Sequence, residues 1–292
     1  MVIKNMFKGA LFLALSVSFL ACDDSSDTME NIEVDEIDSA ALSMELDQFE
    51  SPELDYHLPS ALQVASIFKK SGMAYNPAAT NSVDKIAEYT SESDAKLNFG
   101  VYSADLAYCI TNNMSNDARK FISAIQTLAE QQGMESVFEN KDLMTRFDNN
   151  LDNKDSIQNI IVEIHERSQE YMEDNGMEHV AAVHYAGAWN EGMYLGYTDY
   201  KANPNNENTG FMLCEQMEIL DNIIKGLKDP KNAEAGIDFV ITGLEGIRAG
   251  FEGFDSVLAY RASDQNTDLV LSDAEINKLG ALVSELRDNI VK

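Results

Sequence analysis

Two stretches hold the residues best suited to chemistry. In "AAVHYAGAWNEGMYLGY", His184, Gly187, Ala188 and Glu191 fall at i, i+3, i+4 and i+7, which places them on one face of a helix. Two very small residues between a histidine and a carboxylate leave a notch about two turns long. Trp189 and Tyr185 flank it, and Asn190 adds an amide. In "FGVYSADLAYCI", Tyr102, Asp105, Tyr108 and Cys109 form a comparable face. Both stretches are apolar or small on every side, the mark of helices buried at the centre of a bundle. A carboxylate in that setting costs on the order of several kcal/mol unless it is paired, hydrogen-bonded or protonated. Asp105 and Glu191 therefore each demand a partner or a solvated pocket.

Two readings of these residues stand side by side. In one, the polar groups satisfy each other and set how the central helices dock, the usual fate of buried polar groups. In the other, Asp105, His184, Tyr185, Trp189, Asn190 and Glu191 line a small polar pocket for a ligand, with a carboxyl raised in pKa by desolvation. A carboxylate and a histidine could also do acid–base work, but no nucleophile and no substrate feature accompanies them.

A second constellation suits a cation. "DQNTDLVLSDAE" places Asp264, Asn266, Asp268 and Ser272 at positions 1, 3, 5 and 9, with Glu275 at 12, the oxygen spacing of an EF-hand calcium loop. Leu269 stands at position 6, where the sharp turn of that loop requires glycine. The competing reading is a capping box, Ser272 and Glu275 opening the final helix as S-x-x-E. "DNNLDNKD", Asp148 to Asp155, lacks both the glycine and the terminal glutamate. None of His57, His165, His179 and His184 has a glutamate three residues before it, which excludes the di-metal carboxylate motif, and there is no HExxH. Phosphate-binding glycine loops and GxSxG are absent as well.

The elements that must position these residues read as helices throughout. Pro59 opens one that closes at Gly72, and Ser82 starts a short second one to about residue 90. Ser93 begins the helix carrying Asp105, and Ser115 caps the next, whose Phe121, Ile122, Ile125 and Leu128 recur at helical spacing before Gly133. Short helical turns lead to "DNNLDNKD". Helices are then expected over 156–174, 177–200, 211–227, 233–261 and 272–290, with "KANPNNENTG" as a loop. The expectation is an all-α fold, a multi-helix bundle of about nine or ten antiparallel helices. Residues 97–133 and 180–228 look like two related αα-hairpins. Gly243, Gly246, Gly250 and Gly253 form a row that disfavours its helix by ~1 kcal/mol each, so another helix or a partner should lie against it.

The N-terminus is different in kind. Lys4 and Lys8 precede an apolar run from Gly9 to Ala21, and a run of that length is a signal-peptide core, too short for a membrane span of about 20 residues. Its last residues, Phe19-Leu20-Ala21-Cys22, resemble a lipobox, the signal of bacterial lipoproteins, although Leu20 and Phe19 depart from its commonest residues. The resemblance implies that Cys22 becomes an acylated N-terminus, carrying palmitate-like chains that anchor the protein to a membrane. Asp23 to Asp55 contains thirteen acids and no Lys or Arg, the composition of an extended tether. Acids directly after the cysteine are similar to the surface-export signal of Bacteroidota lipoproteins, and an aspartate there also resembles the inner-membrane retention signal of enterobacteria.

The expected organisation is therefore signal peptide over 1–21, lipidated cysteine and tether over 22–56, and a helical domain over 57–292. The chain carries 21 basic and 50 acidic residues, and loss of the signal with Lys4 and Lys8 leaves 19 against 50, net −31. Such a balance excludes nucleic acid as a partner, because phosphates need clustered Lys and Arg, and disfavours docking flat on anionic lipid. Cys109 and Cys214 would be free to pair in an export compartment, or to lie buried as thiols. The functional expectation is an envelope-anchored acidic module, most simply outer-membrane, that binds or scaffolds an unknown protein or small ligand. It has no enzymatic motif. A ligand-binding or enzymatic pocket at Asp105, His184 and Glu191 is the first alternative, and calcium at 264–275 the second.

Overall fold

Ser91 starts the first long helix, α1 (Glu92–Thr111), through a reciprocal cap: its hydroxyl accepts from the Asp94 N–H, and the Asp94 carboxylate accepts from the Ser91 N–H. The cap lies two residues earlier than Ser93, because the carboxylate that completes it is Asp94. The computed structural model describes Ala65, Lys69, Lys70 and residues 72–292 apart from 139–140, 152, 205 and 264–267. Among the described residues there are ten α-helices, five short 3-10 segments and no strand, an all-α bundle. After α1 come α2 (Ser115–Gln131), α3 (Lys141–Asn149), α4 (Lys154–Asp174), α5 (Glu178–Ala202), α6 (Glu207–Glu215), α7 (Leu220–Leu227), α8 (Asp238–Glu252), α9 (Asp255–Ala262) and α10 (Asp273–Ile290). The described residues all fall in one unit, Phe49–Lys292. The expected signal peptide, Cys22, the expected tether and most of the expected Pro59–Ser71 helix lie outside the described residues.

Several boundaries differ from the expected ones for local reasons. The Ser82 element is a 3-10 segment, Val83–Glu88, capped by Ser82. Ser115 is the first residue of α2 rather than its cap, and its hydroxyl donates to the Leu151 carbonyl. Residues 201–210 are mostly helical, with only 203–206 between α5 and α6. The span 211–227 is interrupted by a 3-10 segment, Gln216–Ile219, whose first carbonyl receives the Trp189 indole N–H at 3.1 Å. The span 233–261 is two helices. Gly253 ends α8, and Phe254 is extended (φ −70°, ψ 139°), which seats its ring edge-on against Phe251 with centroids 6.1 Å apart. Burial of two phenyl groups outweighs the continuity of one helix.

Helices α1 and α5 form the centre, and their sides are buried almost without interruption. Helix α1 packs on α2 and α5, while α10 lies across α5 and α8. The chain reverses between α1 and α2, so that Gln132 returns to the Ala95 carbonyl and Phe121 meets Tyr102. Helices α1 and α5 run otherwise: Phe99 stacks on His184 with centroids 4.4 Å apart, and further along both helices Asp105 lies beside Glu191. The contacts advance together, so these two helices run parallel. Apolar residues divide into a cluster around α5, α7, α8 and α10 and another around α1, α2 and α4. Cys109 sits in the second and Cys214 in the first, both buried and both free thiols. Burial pushes the Cys109 thiol up to about 12 and the Cys214 thiol up to about 11, which makes them inert packing residues. No described helix is long and apolar enough to cross a membrane.

Candidate functional site

Two glycines bring the site's helices into backbone contact. A Cβ on Gly100 would overlap the carbonyl oxygen of His184, and a Cβ on Gly187 would overlap that of Leu97. The arrangement is reciprocal, each glycine meeting the carbonyl three residues before the other. This gives the pair a local two-fold relation. The notch at Gly187 and Ala188 is thus filled by α1 itself, since Ala188 N also faces Gly100.

Beyond this crossing lies a buried charged cluster. Glu191 is fully buried, and both of its oxygens accept from Arg287 of α10: Nε to Oε2 at 2.6 Å and Nη2 to Oε1 at 2.8 Å. Arg287 Nη2 also reaches the Ala79 carbonyl at 3.3 Å, and the guanidinium lies 4.0 Å from the Tyr194 ring centroid. This is the two-pronged geometry that arginine offers a carboxylate, backed by a cation–π face. Burial works against the Arg287 charge, and the Glu191 carboxylate more than offsets it, so its pKa is raised. Asp105, also fully buried, accepts from the Asn81 N–H at 3.1 Å on Oδ2, and it lies close enough to Glu191 for the two carboxyls to act on each other. Burial and the neighbouring Glu191 raise the Asp105 carboxyl well above the ordinary aspartate range. The 3-10 segment and its approach close over the cluster, with Asn81 Nδ2 donating to the Tyr89 hydroxyl at 2.9 Å and the Tyr102 hydroxyl donating to the Ser82 carbonyl at 2.8 Å.

The other expected pocket residues go elsewhere. His184 shares a hydrogen bond of 2.7 Å with Gln132 Oε1 of the loop after α2 and stacks on Phe99. Burial, aided by Lys96, pushes it down to about 3, so the imidazole is neutral and donates to the amide oxygen. Trp189 points to the break at Gln216. The Tyr185 hydroxyl and Asn190 Oδ1 are buried without a hydrogen-bond partner among the described residues. Asp105 and Glu191 are therefore brought together, His184 faces away from them toward α2, and the residue that completes the cluster is Arg287. Its signal in the sequence is its register: four residues after Val283 and three before Ile290, it is a lone base on an apolar face.

The cation candidate resolves in part. Asp264 and Asn266 lie outside the described residues, and Asp268 is exposed. Glu275 is committed: Oε1 accepts from the Ser256 N–H at 3.0 Å, while Oε2 accepts from the Ser256 hydroxyl at 2.6 Å, the Ser272 N–H at 2.8 Å and the Ser272 hydroxyl at 2.7 Å. This is the capping box at the start of α10. Burial alone would raise Glu275, but these four bonds hold it down at about 2. Among the described residues no group of three His, Cys, Asp or Glu side chains is placed to hold a metal. A cavity of about 230 Å³ opens beyond the C-terminal end of α1, lined by Ile110, Met114, Ala118, Phe147, Leu151 and Ile157 together with Asn113 and Ser115. It contains no acid, histidine or cysteine and offers no reactive group. Comparison with family models, with curated proteins and with solved structures finds no match to this chain.

Proposed function

We propose that the protein is a lipid-anchored, acidic helical module of a bacterial cell envelope that binds or scaffolds a partner and carries out no chemistry. The observation that carries this reading is the run Phe19-Leu20-Ala21-Cys22 behind an apolar segment and ahead of thirteen acids without a base. The commitment of Glu191 to Arg287 and of His184 to Gln132 supports the second half, because neither side chain is free to exchange a proton with a bound molecule. The acyl chains at Cys22 would hold the chain at the membrane, most simply the outer one, with the acidic tether keeping the bundle clear of anionic lipid. Replacing Cys22→Ser is expected to abolish metabolic lipid labelling and move the protein from the membrane fraction to the soluble one. A variant that keeps both label and fraction would overturn the reading.

One observation favours a second reading, a small-ligand site: Tyr185 and Asn190 each keep a buried polar atom without a partner. Under that reading Glu191→Gln would alter a ligand-dependent thermal shift in a metabolite screen, whereas under the first it changes stability alone.

A further inference from the structure

The cluster at the centre holds two carboxyl groups against one guanidinium, and its hydrogen bonds do not close with both acids ionised. Asp105 Oδ2 accepts from Asn81, but Oδ1 is buried and receives no donor. Arg287 directs Nε and Nη2 to Glu191 and Nη2 also to the Ala79 carbonyl. The other titratable groups facing the cluster are Tyr89 from the 3-10 segment, Tyr102, Tyr108 and Cys109 from α1, and Tyr194 from α5. Tyr102 donates to Ser82 and Tyr108 donates to the Ala74 carbonyl, so neither hydroxyl supplies Oδ1. Lys85 on the 3-10 segment turns its ammonium to the Val291 carbonyl at 2.6 Å. An ionised Asp105 would thus be an unpaired charge out of water beside a second carboxylate, an arrangement that buried sites avoid.

We propose that Asp105 holds a proton on Oδ1 and donates it to the Glu191 carboxylate, and that this shared proton latches α10 onto the central helices. Release of the proton to solvent leaves two adjacent carboxylates competing for Arg287, the side chain through which α10 reaches the cluster. The burial and the neighbouring Glu191 that raise Asp105 set the direction of the effect. With its folded pKa above its unfolded one, the folded chain keeps a proton that the unfolded chain gives up. Stability from this group is full below about pH 4 and is lost as pH rises through the folded pKa.

The test uses the full chain. Infrared difference spectra at about pH 6 are expected to show a protonated-carboxyl carbonyl band that shifts when aspartate is labelled with carbon-13 and is missing in Asp105→Asn. As pH is raised and the band is lost, amide-exchange protection factors in α10 should fall at least about tenfold, in step with it, while Asp105→Asn, which keeps a donor and cannot titrate, holds its α10 protection. Isotope labelling of the unaltered chain keeps the test decisive if the variant does not fold. The proposal is overturned by an absent band at about pH 6, by a band lost with α10 protection unchanged, or by a band that never titrates before the whole chain unfolds.

Discussion

Arg287 shows what one side chain can decide. It is the counter-charge for Glu191, a hydrogen-bond donor to Ala79 and a lid over the Tyr194 ring, so its removal strands a buried carboxylate. Arg287→Ala is expected to cost about 3–5 kcal/mol in urea unfolding, the range for breaking a buried pair on one side. The double change Glu191→Gln with Arg287→Met should cost less than Arg287→Ala alone, since it removes the stranded charge along with its partner. His184 makes a different, pH-dependent contribution. Burial holds its folded pKa at about 3, far below its unfolded value near 6.5. Its contribution is present above that unfolded value and is lost as pH falls from there through the folded pKa. Between about pH 4 and pH 6 this contribution grows with pH while that of Asp105 declines, so the readout is the difference between variants: His184→Gln should lower the pH slope of the unfolding free energy by up to about one proton relative to the unaltered chain.

At the scale of elements, glycine is used in two opposite ways. Gly100 and Gly187 let α1 and α5 touch backbone to backbone, and the atoms a methyl would meet are carbonyl groups that cannot swing aside. Gly100→Ala or Gly187→Ala is expected to destabilise by at least the ~1–3 kcal/mol typical of overpacking. The row on α8 is mixed. A methyl at Gly243 would lie 2.7 Å from Leu286 Cδ1 and one at Gly250 2.8 Å from Leu282 Cδ1, so these two glycines admit α10. Gly246 faces open space. Gly246→Ala should therefore stabilise by about 0.5–1 kcal/mol through helix propensity, and thermal melts of the three alanine variants would separate the roles. The row of glycines was legible in the sequence. Which of the glycines a neighbour would approach was not, because that depends on where α10 crosses.

The whole molecule is dominated by charge of one sign, with 50 acids against 21 bases. The ion pairs on its surface, such as Arg119–Asp148, Lys228–Glu245 and Arg248–Asp221, contribute little individually. Like-charge repulsion acts across the entire surface and opposes the compact state. Raising sodium chloride from about 0.01 M to about 0.5 M shortens the screening length severalfold and should raise the melting temperature. A melting temperature that falls with salt would mean that the ion pairs outweigh the repulsion. The same excess bears on the proposed anchoring, because a negatively charged bundle is repelled by an anionic leaflet.

Local sequence determined the helical class, the caps at Ser82 and Ser272 and the burial of α1 and α5, because turn chemistry and apolar periodicity act over a few residues. It also identified Asp105 and Glu191 as acids needing partners, since polarity on an all-apolar helix is visible without coordinates. Tertiary structure alone decided what those partners are. Arg287 lies 96 residues from Glu191 in the chain, and only the parallel docking of α1 and α5, with α10 laid across them, brings two acids and one base to the same buried point. The helix break at Gln216 was hidden for the same reason, because the indole bond from Trp189 that accompanies it comes from another helix and leaves no trace in local propensity; the break at Gly253 did leave one, a helix-disfavouring glycine read instead as part of a packing row.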